Sequence, residues 1–294
     1  MKIKPVAFDS FSTRSMATII ETDLKIFIDP SIAIAPRRYG LEPSKIELNE
    51  LNKKKKEIIE EAKSTDLFII THYHWDHCPN PNEEHFEIFK SNAKFLIKDF
   101  NKTNKSQLKR GNNVISEARK LNNEFIFEFA DNKNFEMNNT FIEFSKPLNH
   151  GVNDLLGKII MIKISYKNNN VVFASDIQGI NNKETLNELI KFNPYFLILS
   201  GPATYHYKWK NKWTKRDNHY LKELIEKTDI KTIIIDHHLL RDLNYKEKIK
   251  EVIEFSKQFN VKIITAAEFL GIENKQLEAK RKELINKNPK NIEK

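Results

Sequence analysis

Thr71-His72-Tyr73-His74-Trp75-Asp76-His77 places three imidazoles and a carboxylate within six positions, directly after the apolar run Asp66-Leu67-Phe68-Ile69-Ile70. A run so apolar reads as a strand buried on both faces. The polar residues that follow then stand at a strand end, where alternating side chains can be aimed at one point. Four titratable groups packed against Leu67-Ile70 are costly unless they are paired or metal-bound. Neutral imidazole with carboxylate is a ligand set that suits Zn²⁺ and, less selectively, Fe or Mn. The competing reading, a run of surface histidines in a loop, fits this dense spacing after a buried strand poorly.

Outward from this stretch, the first thirty residues read as strands. Val6-Phe8, Ala17-Glu21 and Lys25-Asp29 are short β-branched or aromatic runs, with Thr22-Asp23 as a hairpin turn and Pro30 ending the third by withholding an amide. Ser44 with Glu47 three residues later is a capping-box pattern that opens a helix to about Lys63. After the histidine cluster, Asn82 to Lys90 reads as helix, Lys94-Ile97 as strand and Gln107 to Leu121 as helix. Phe125-Phe129, Thr140-Phe144, Lys158-Tyr166 and Val171-Ala174 read as strands, with Asn168-Asn170 as the turn between the last two. Helices at 183–192, 216–227 and 245–259 then alternate with strands at 195–199, 231–235 and 261–264. Meandering strands followed by alternation predict mixed sheets with helices on their outer faces. Residues 1–272 read as one domain, and 273–294 as a charged, solvated helix ending in a frayed tail.

The cluster resembles the His-x-His-x-Asp-His motif of the metallo-β-lactamase superfamily, with a match at all four ligand positions and a likeness extending over about residues 3 to 272. That resemblance implies an α/β fold, a four-layer αββα sandwich, and two divalent metal ions, with Zn²⁺ favoured over Fe or Mn. It implies His72 and His74 on the first metal with His150, which lies in Pro147-Leu148-Asn149-His150-Gly151. Asp176, ending Val171-Val172-Phe173-Ala174-Ser175-Asp176, would bridge the pair. The second metal would take Asp76, His77 and a histidine ending Ile233-Ile234-Ile235-Asp236-His237-His238. His237 is preferred because it comes first after the strand, with His238 as its substitute. Asp76 would also orient the attacking water or accept its proton. More narrowly, the chain resembles a mainly archaeal branch of predicted metal-dependent hydrolases. Asp9-Ser10 with Arg14-Ser15-Met16, Ile28-Asp29-Pro30 with Arg37-Arg38-Tyr39-Gly40, and Ser200-Gly201-Pro202 carry that closer likeness.

The chemistry implied is hydrolysis of a phosphoester, ester or lactone bond in a small anionic substrate by a metal-activated hydroxide. Arginine forks match phosphate and carboxylate, so Arg14, Arg37 and Arg38 are candidates for holding that substrate. His206 and His219 are candidate acids for the leaving group. Trp75, Tyr205, Tyr207, Trp209 and Trp213 could line the pocket, and Cys78 reads as a buried apolar neighbour of the motif. Two rival readings stand. One is a ribonuclease or other nuclease with the same metals, although the roughly sixty residues between Asp176 and His237 leave no room for a large cap insertion. The other is a non-hydrolytic diiron redox protein, against which the four motif residues are all of the hydrolytic type.

The bulk properties set the outer bounds. A chain of 294 residues, 39% hydrophobic and 11% aromatic, holds enough apolar material for a core. No apolar run approaches the roughly 18 to 20 residues of a membrane span, and Asp9 interrupts any signal-peptide pattern. One cysteine excludes an internal disulfide and suits a reducing compartment, so the expected location is cytoplasmic. The net charge of +9 keeps nucleic acid open as a partner without favouring it, since 40 acidic residues are interspersed among the basic ones. Assembly into a homo-oligomer is left open.

Overall fold

The computed structural model describes residues 1–287. Its core is two mixed sheets packed face to face, with helices outside both. The first sheet runs in the order Lys2–Phe8, Met16–Glu21, Lys25–Ile28, Leu67–Ile70, Lys94–Ile97, Phe127–Phe129, antiparallel up to the third strand and parallel from there on. The second runs Lys262–Ile264, Thr232–Asp236, Phe196–Ser200, Asn169–Ala174, all parallel, and then Ile162–Tyr166, Thr140–Phe144 and Asn134–Met137, antiparallel.

Strand alternation builds the layers. Ile198 and Ile234 face the first sheet, where they meet Ile28, Leu67 and Ile69. Leu197, Leu199, Ile233 and Ile235 face the other way, onto Leu189, Leu221, Leu224 and Val252 of the helices Lys183–Phe192, Asn211–Lys227 and Tyr245–Lys257. On the opposite side, Phe68 and Phe95 stack at 4.5 Å beneath the helices Lys45–Ala62 and Lys105–Leu121. Each apolar run is thus buried on both faces, which is why these strands lack polar alternation. The Ser44–Glu47 capping box forms as expected. Among the described residues, no helix is long and apolar enough to cross a membrane.

Several elements depart from the sequence reading. Asn82–Lys90 is not an α-helix: Glu84–Lys90 is a 3₁₀ turn closed by i→i+3 bonds such as Phe86 N to Glu83 O. Lys158–Tyr166 is two strands. Lys158–Ile159 pairs with Leu148–Asn149, while Ile160 N turns to donate to Thr71 O and ties the second sheet to the histidine motif. The hairpin turn falls on Lys167 and Asn168, earlier than expected, because Asn169 already pairs with Tyr166.

The largest correction concerns the C-terminal segment, which is packed against the body where a solvated helix was expected. Lys275 N donates to Ser10 O, and the helix Arg281–Lys287 begins with a fully buried arginine. Arg281 forks onto Glu47 (2.7 and 3.0 Å) and donates to Ala35 O and Leu41 O. Both charges are out of water and satisfied by one another. The expected frayed tail, 288–294, lies outside the described residues.

Candidate metal centre

Parallel strands of the two sheets end at one place, and the site is built on those ends. Leu67–Ile70 delivers Thr71 and His72, Asn169–Ala174 delivers Ser175 and Asp176, and Thr232–Asp236 delivers His237. Two of these positions, Asp176 (φ 40°) and His237 (φ 60°), take left-handed backbone, as does Asp29 (φ 46°) after the strand Lys25–Ile28. Asp and His tolerate this region better than most residues, and such strain concentrates at functional sites. Ser200-Gly201-Pro202 has a packing reason, since a Cβ on Gly201 would stand 2.6 Å from Leu239 Cβ. Glycine there lets the 3₁₀ turn His237–Arg241 dock against the strand ends.

Two clusters of candidate donors meet at Asp176. His72, His74, His150 and Asp176 bring one donor atom each to within 4.8 Å of one another. Asp176 Oδ2 is 2.8 Å from His150 Nε2 and 3.4 Å from His72 Nε2, and His74 Nδ1 is 2.9 Å from His150 Nε2. Asp76, His77 and His237 form the second set, with the two histidine Nε2 atoms 3.2 Å apart and Asp76 Oδ2 at 3.9 and 3.6 Å from them. Asp176 reaches this set also, with Oδ2 3.4 Å from His77 and Oδ1 3.0 Å from His237.

The hydrogen-bond network fixes which ring nitrogens carry lone pairs. Thr71 Oγ1 donates to Asp29 Oδ2 (2.7 Å), so it can accept only from His72 Nδ1 (3.0 Å). His72 Nε2 is therefore an acceptor, buried and without a protein donor. A lone pair so placed fits a metal ion. His77 Nδ1 donates to Asp29 (2.9 Å) and His237 Nδ1 to Asp9 (2.7 Å), which directs both Nε2 atoms into the centre. These are the carboxylate–histidine pairs that orient metal ligands. His238 has the opposite tautomer. Its Nδ1 accepts from Arg241 Nη1 (3.2 Å), so in the neutral ring the hydrogen sits on Nε2, 3.4 Å from Asp176 Oδ1.

Charge follows the same geometry. Burial holds His72, His74 and His238 down to about 3, so all three are neutral at any physiological pH. Burial also disfavours charge on His77 and His237, but the surrounding carboxylates together outweigh it, Asp176 with Asp76 and Asp29 at His77 and Asp176 with Asp9 at His237, and both lie above the ordinary histidine value. Burial would raise the Asp176 carboxyl, yet the imidazoles of His77, His237 and His150 hold it well below the carboxylate range. A carboxylate ringed by imidazoles is a charge arrangement that cations complete.

Other expected site residues fall differently. Arg14 lines the cavity over the centre, but both its bonds of 2.6 and 2.7 Å go to buried Glu278. Arg38 stacks on Tyr39 and Tyr205 and donates to Arg241 O, away from the cavity. Arg37 is exposed and pairs with Glu42. Neither of these two lines the cavity: one is held in an aromatic stack and the other faces solvent. His206 and His219 are exposed and outside the cavity lining, so neither is placed to protonate a leaving group there. Tyr205 and Trp75 do line it, whereas Trp209 packs edge-on to Trp213. Cys78 is buried in the core beneath the first sheet, as expected.

Four functional positions escaped the sequence reading or were seen without a role. Asp9 and Asp29 stood out only as part of the closer likeness. Arg241, four residues after His237, donates to Asp9 Oδ1 (2.6 Å) and Tyr205 OH (3.2 Å). Asp217, buried on a helix, accepts from Ile180 N (2.5 Å) and so anchors the loop that follows Asp176. Burial pushes its carboxyl up to about 7. No local pattern announces either of these last two.

No protein-family model matches the chain. It is 39% identical over 293 residues to a UPF0282 protein of Sulfurisphaera tokodaii, a match that covers 99% of this chain and 94% of that one. A UPF0282 protein of Saccharolobus solfataricus is 38% identical over 292 residues, covering 97% and 92%. Among solved structures, CmlA, a diiron beta-hydroxylase from Streptomyces venezuelae, shares the fold with a TM-score of 0.51 at 9% identity, over 87% of this chain and 52% of that one. At that identity the likeness concerns fold alone. Two helix-flanked mixed sheets, with the His72–His77 motif at a strand end of one and Asp176 at a strand end of the other, form the expected αββα metallo-β-lactamase fold. The chain belongs to the UPF0282 family.

Proposed function

We propose that this protein is a metal-dependent hydrolase that cleaves a phosphoester, ester or lactone bond in a small substrate. The observation that carries the proposal is the tautomer pattern: His72, His77 and His237 each have Nδ1 occupied as a donor and Nε2 turned toward Asp176. In this reading one divalent cation, Zn²⁺ by preference, is held by His72, His74, His150 and Asp176, and a second by Asp76, His77, His237 and Asp176. Bound cations of this kind lower the pKa of water toward neutrality and polarise the oxygen under attack.

The chain's own residues do the rest. Asp76 lines the cavity with its carboxyl held below the usual range, where His77 and His237 outweigh the opposing effect of burial. Kept ionised, it orients the attacking water by accepting a hydrogen bond from it. His238 faces the same space as a neutral imidazole, so its Nε2–H can hydrogen-bond the leaving atom without protonating it, and the proton for the leaving group comes from water. The cavity, about 430 Å³, is the size of a small-molecule site. Its walls include Ala33, Ile34, Pro36 and Leu156, which limit water around the reacting bond.

The test is turnover of bis-p-nitrophenyl phosphate, p-nitrophenyl acetate and a simple lactone by zinc-reconstituted protein. Activity on at least one class is expected, falling by about a hundredfold or more with loss of metal in His72→Ala. Full turnover in that variant would defeat the assignment. The diiron reading would instead give iron retention with redox activity and no hydrolysis. The nuclease reading would give RNA affinity that falls steeply with salt.

A further inference from the structure

Three arginines line the cavity over the centre: Arg14, Arg110 and Arg241. Two are already matched by carboxylates, Arg14 by Glu278 and Arg241 by Asp9. Among the described residues Arg110 has no carboxylate within bonding distance. Its guanidinium stacks over the Trp75 ring at 4.9 Å, and Nη1 donates to Tyr73 O at 3.3 Å. Both contacts are to residues interleaved with the ligands of the His72–His77 motif, so the cation is held in register with the centre.

The helix that carries it is pinned as well. Gln107, one turn before Arg110 on Lys105–Leu121, accepts from Tyr73 N (3.2 Å) and donates to Leu156 O (2.7 Å). It thereby ties the helix both to the motif and to the Leu156 wall of the cavity. A guanidinium has five N–H donors in a planar fork, and Arg110 spends one. A half-buried cation with donors to spare, beside apolar Ile34 and Leu156, is a mismatch within the protein that an anion would resolve.

We propose that Arg110 recognises an anionic group, a carboxylate or a phosphate, that the substrate carries apart from the bond being cleaved. The inference rests on the dinuclear reading for the position of that bond. Arg110 is a binding residue in this account, and it takes over the role that the sequence suggested for Arg37 and Arg38. A substrate that fits has one end over Asp76 and Asp176 and an acid at the other.

Isothermal titration of zinc-loaded protein with acetate, the dicarboxylates malonate to glutarate, and phosphonoacetate tests this, with metal content measured on the same samples. A dicarboxylate or the phosphonate should bind the wild type tighter than acetate. Arg110→Gln should lose about tenfold or more of that affinity while its zinc content and acetate affinity stay as they were. Arg110→Lys, which keeps charge but not the fork, should recover part of the loss. The ligand with the larger loss identifies carboxylate or phosphate as the acid recognised. Equal effects on acetate and the diacids, or no effect on either, would overturn the proposal. If the wild type held no zinc but diacid binding still required Arg110, the anion site would stand and the metal reading would fall.

Discussion

Asp29 holds two of the imidazoles that meet at the centre. Its Oδ2 accepts from Thr71 Oγ1, His77 Nδ1 and Ser175 Oγ, and its Oδ1 from Thr71 N. One carboxylate thus orients His77 directly and His72 through Thr71. Such outer partners are typically worth about 10- to 100-fold in metal affinity. We therefore expect Asp29→Asn to bind zinc about 10- to 100-fold more weakly in competition with a chelator, while still folding; an unchanged affinity would show that Thr71 and the backbone suffice. The ligands themselves were legible because imidazoles crowd one strand end. Asp9 and Asp29 stood out only within the stretches that carry the closer likeness, since their partners lie far off in sequence at His237 and His77. The surroundings of the arginines were hidden for a related reason. Arg14 and Arg38 lie within reach of Glu278, a partner more than two hundred residues away, whereas Arg110 sits in a polar helix with nothing local to distinguish it.

Among the elements, the long apolar strands and the capped helices could be read because their pattern is set by burial on one or both faces. The two-residue strands Leu148–Asn149 and Lys158–Ile159, and the 3₁₀ turn His237–Arg241, could not, since they are too short to carry a periodic pattern. The C-terminal segment shows the limit most clearly. A dense run of charge reads the same whether it is solvated or paired, and here Arg281 is paired with Glu47 across 234 positions. That pair has a functional consequence. Through Ala35 O and Leu41 O, Arg281 holds the loop that brings Ala33, Ile34 and Pro36 to the cavity. Arg281→Leu leaves Glu47 buried with only its Ser44 contacts, and breaking such a pair costs about 3 to 5 kcal/mol. Urea unfolding of the variant should show that loss in midpoint; a change under 1 kcal/mol would mean the segment is dispensable.

At the scale of the whole molecule, the centre is where the two halves meet. His72, His74, Asp76 and His77 follow a strand of the first sheet, and His150, Asp176 and His237 come from the second half of the chain. The layers could be anticipated from strand order, and the convergence from the order of the ligands. The lining of the cavity by Arg241 and Tyr205 could not, because it depends on how the layers settle on one another. A site assembled from both sheets makes metal binding and the native arrangement one equilibrium, since ligands so far apart in sequence are together only in the folded chain. The most direct test is the metal content of zinc-reconstituted protein after exhaustive dialysis, compared with Asp176→Ala. The account predicts about two equivalents per chain in the wild type and less than one in the variant, because the lost carboxylate serves both ligand sets. Two equivalents retained without Asp176, or none in the wild type, would contradict it.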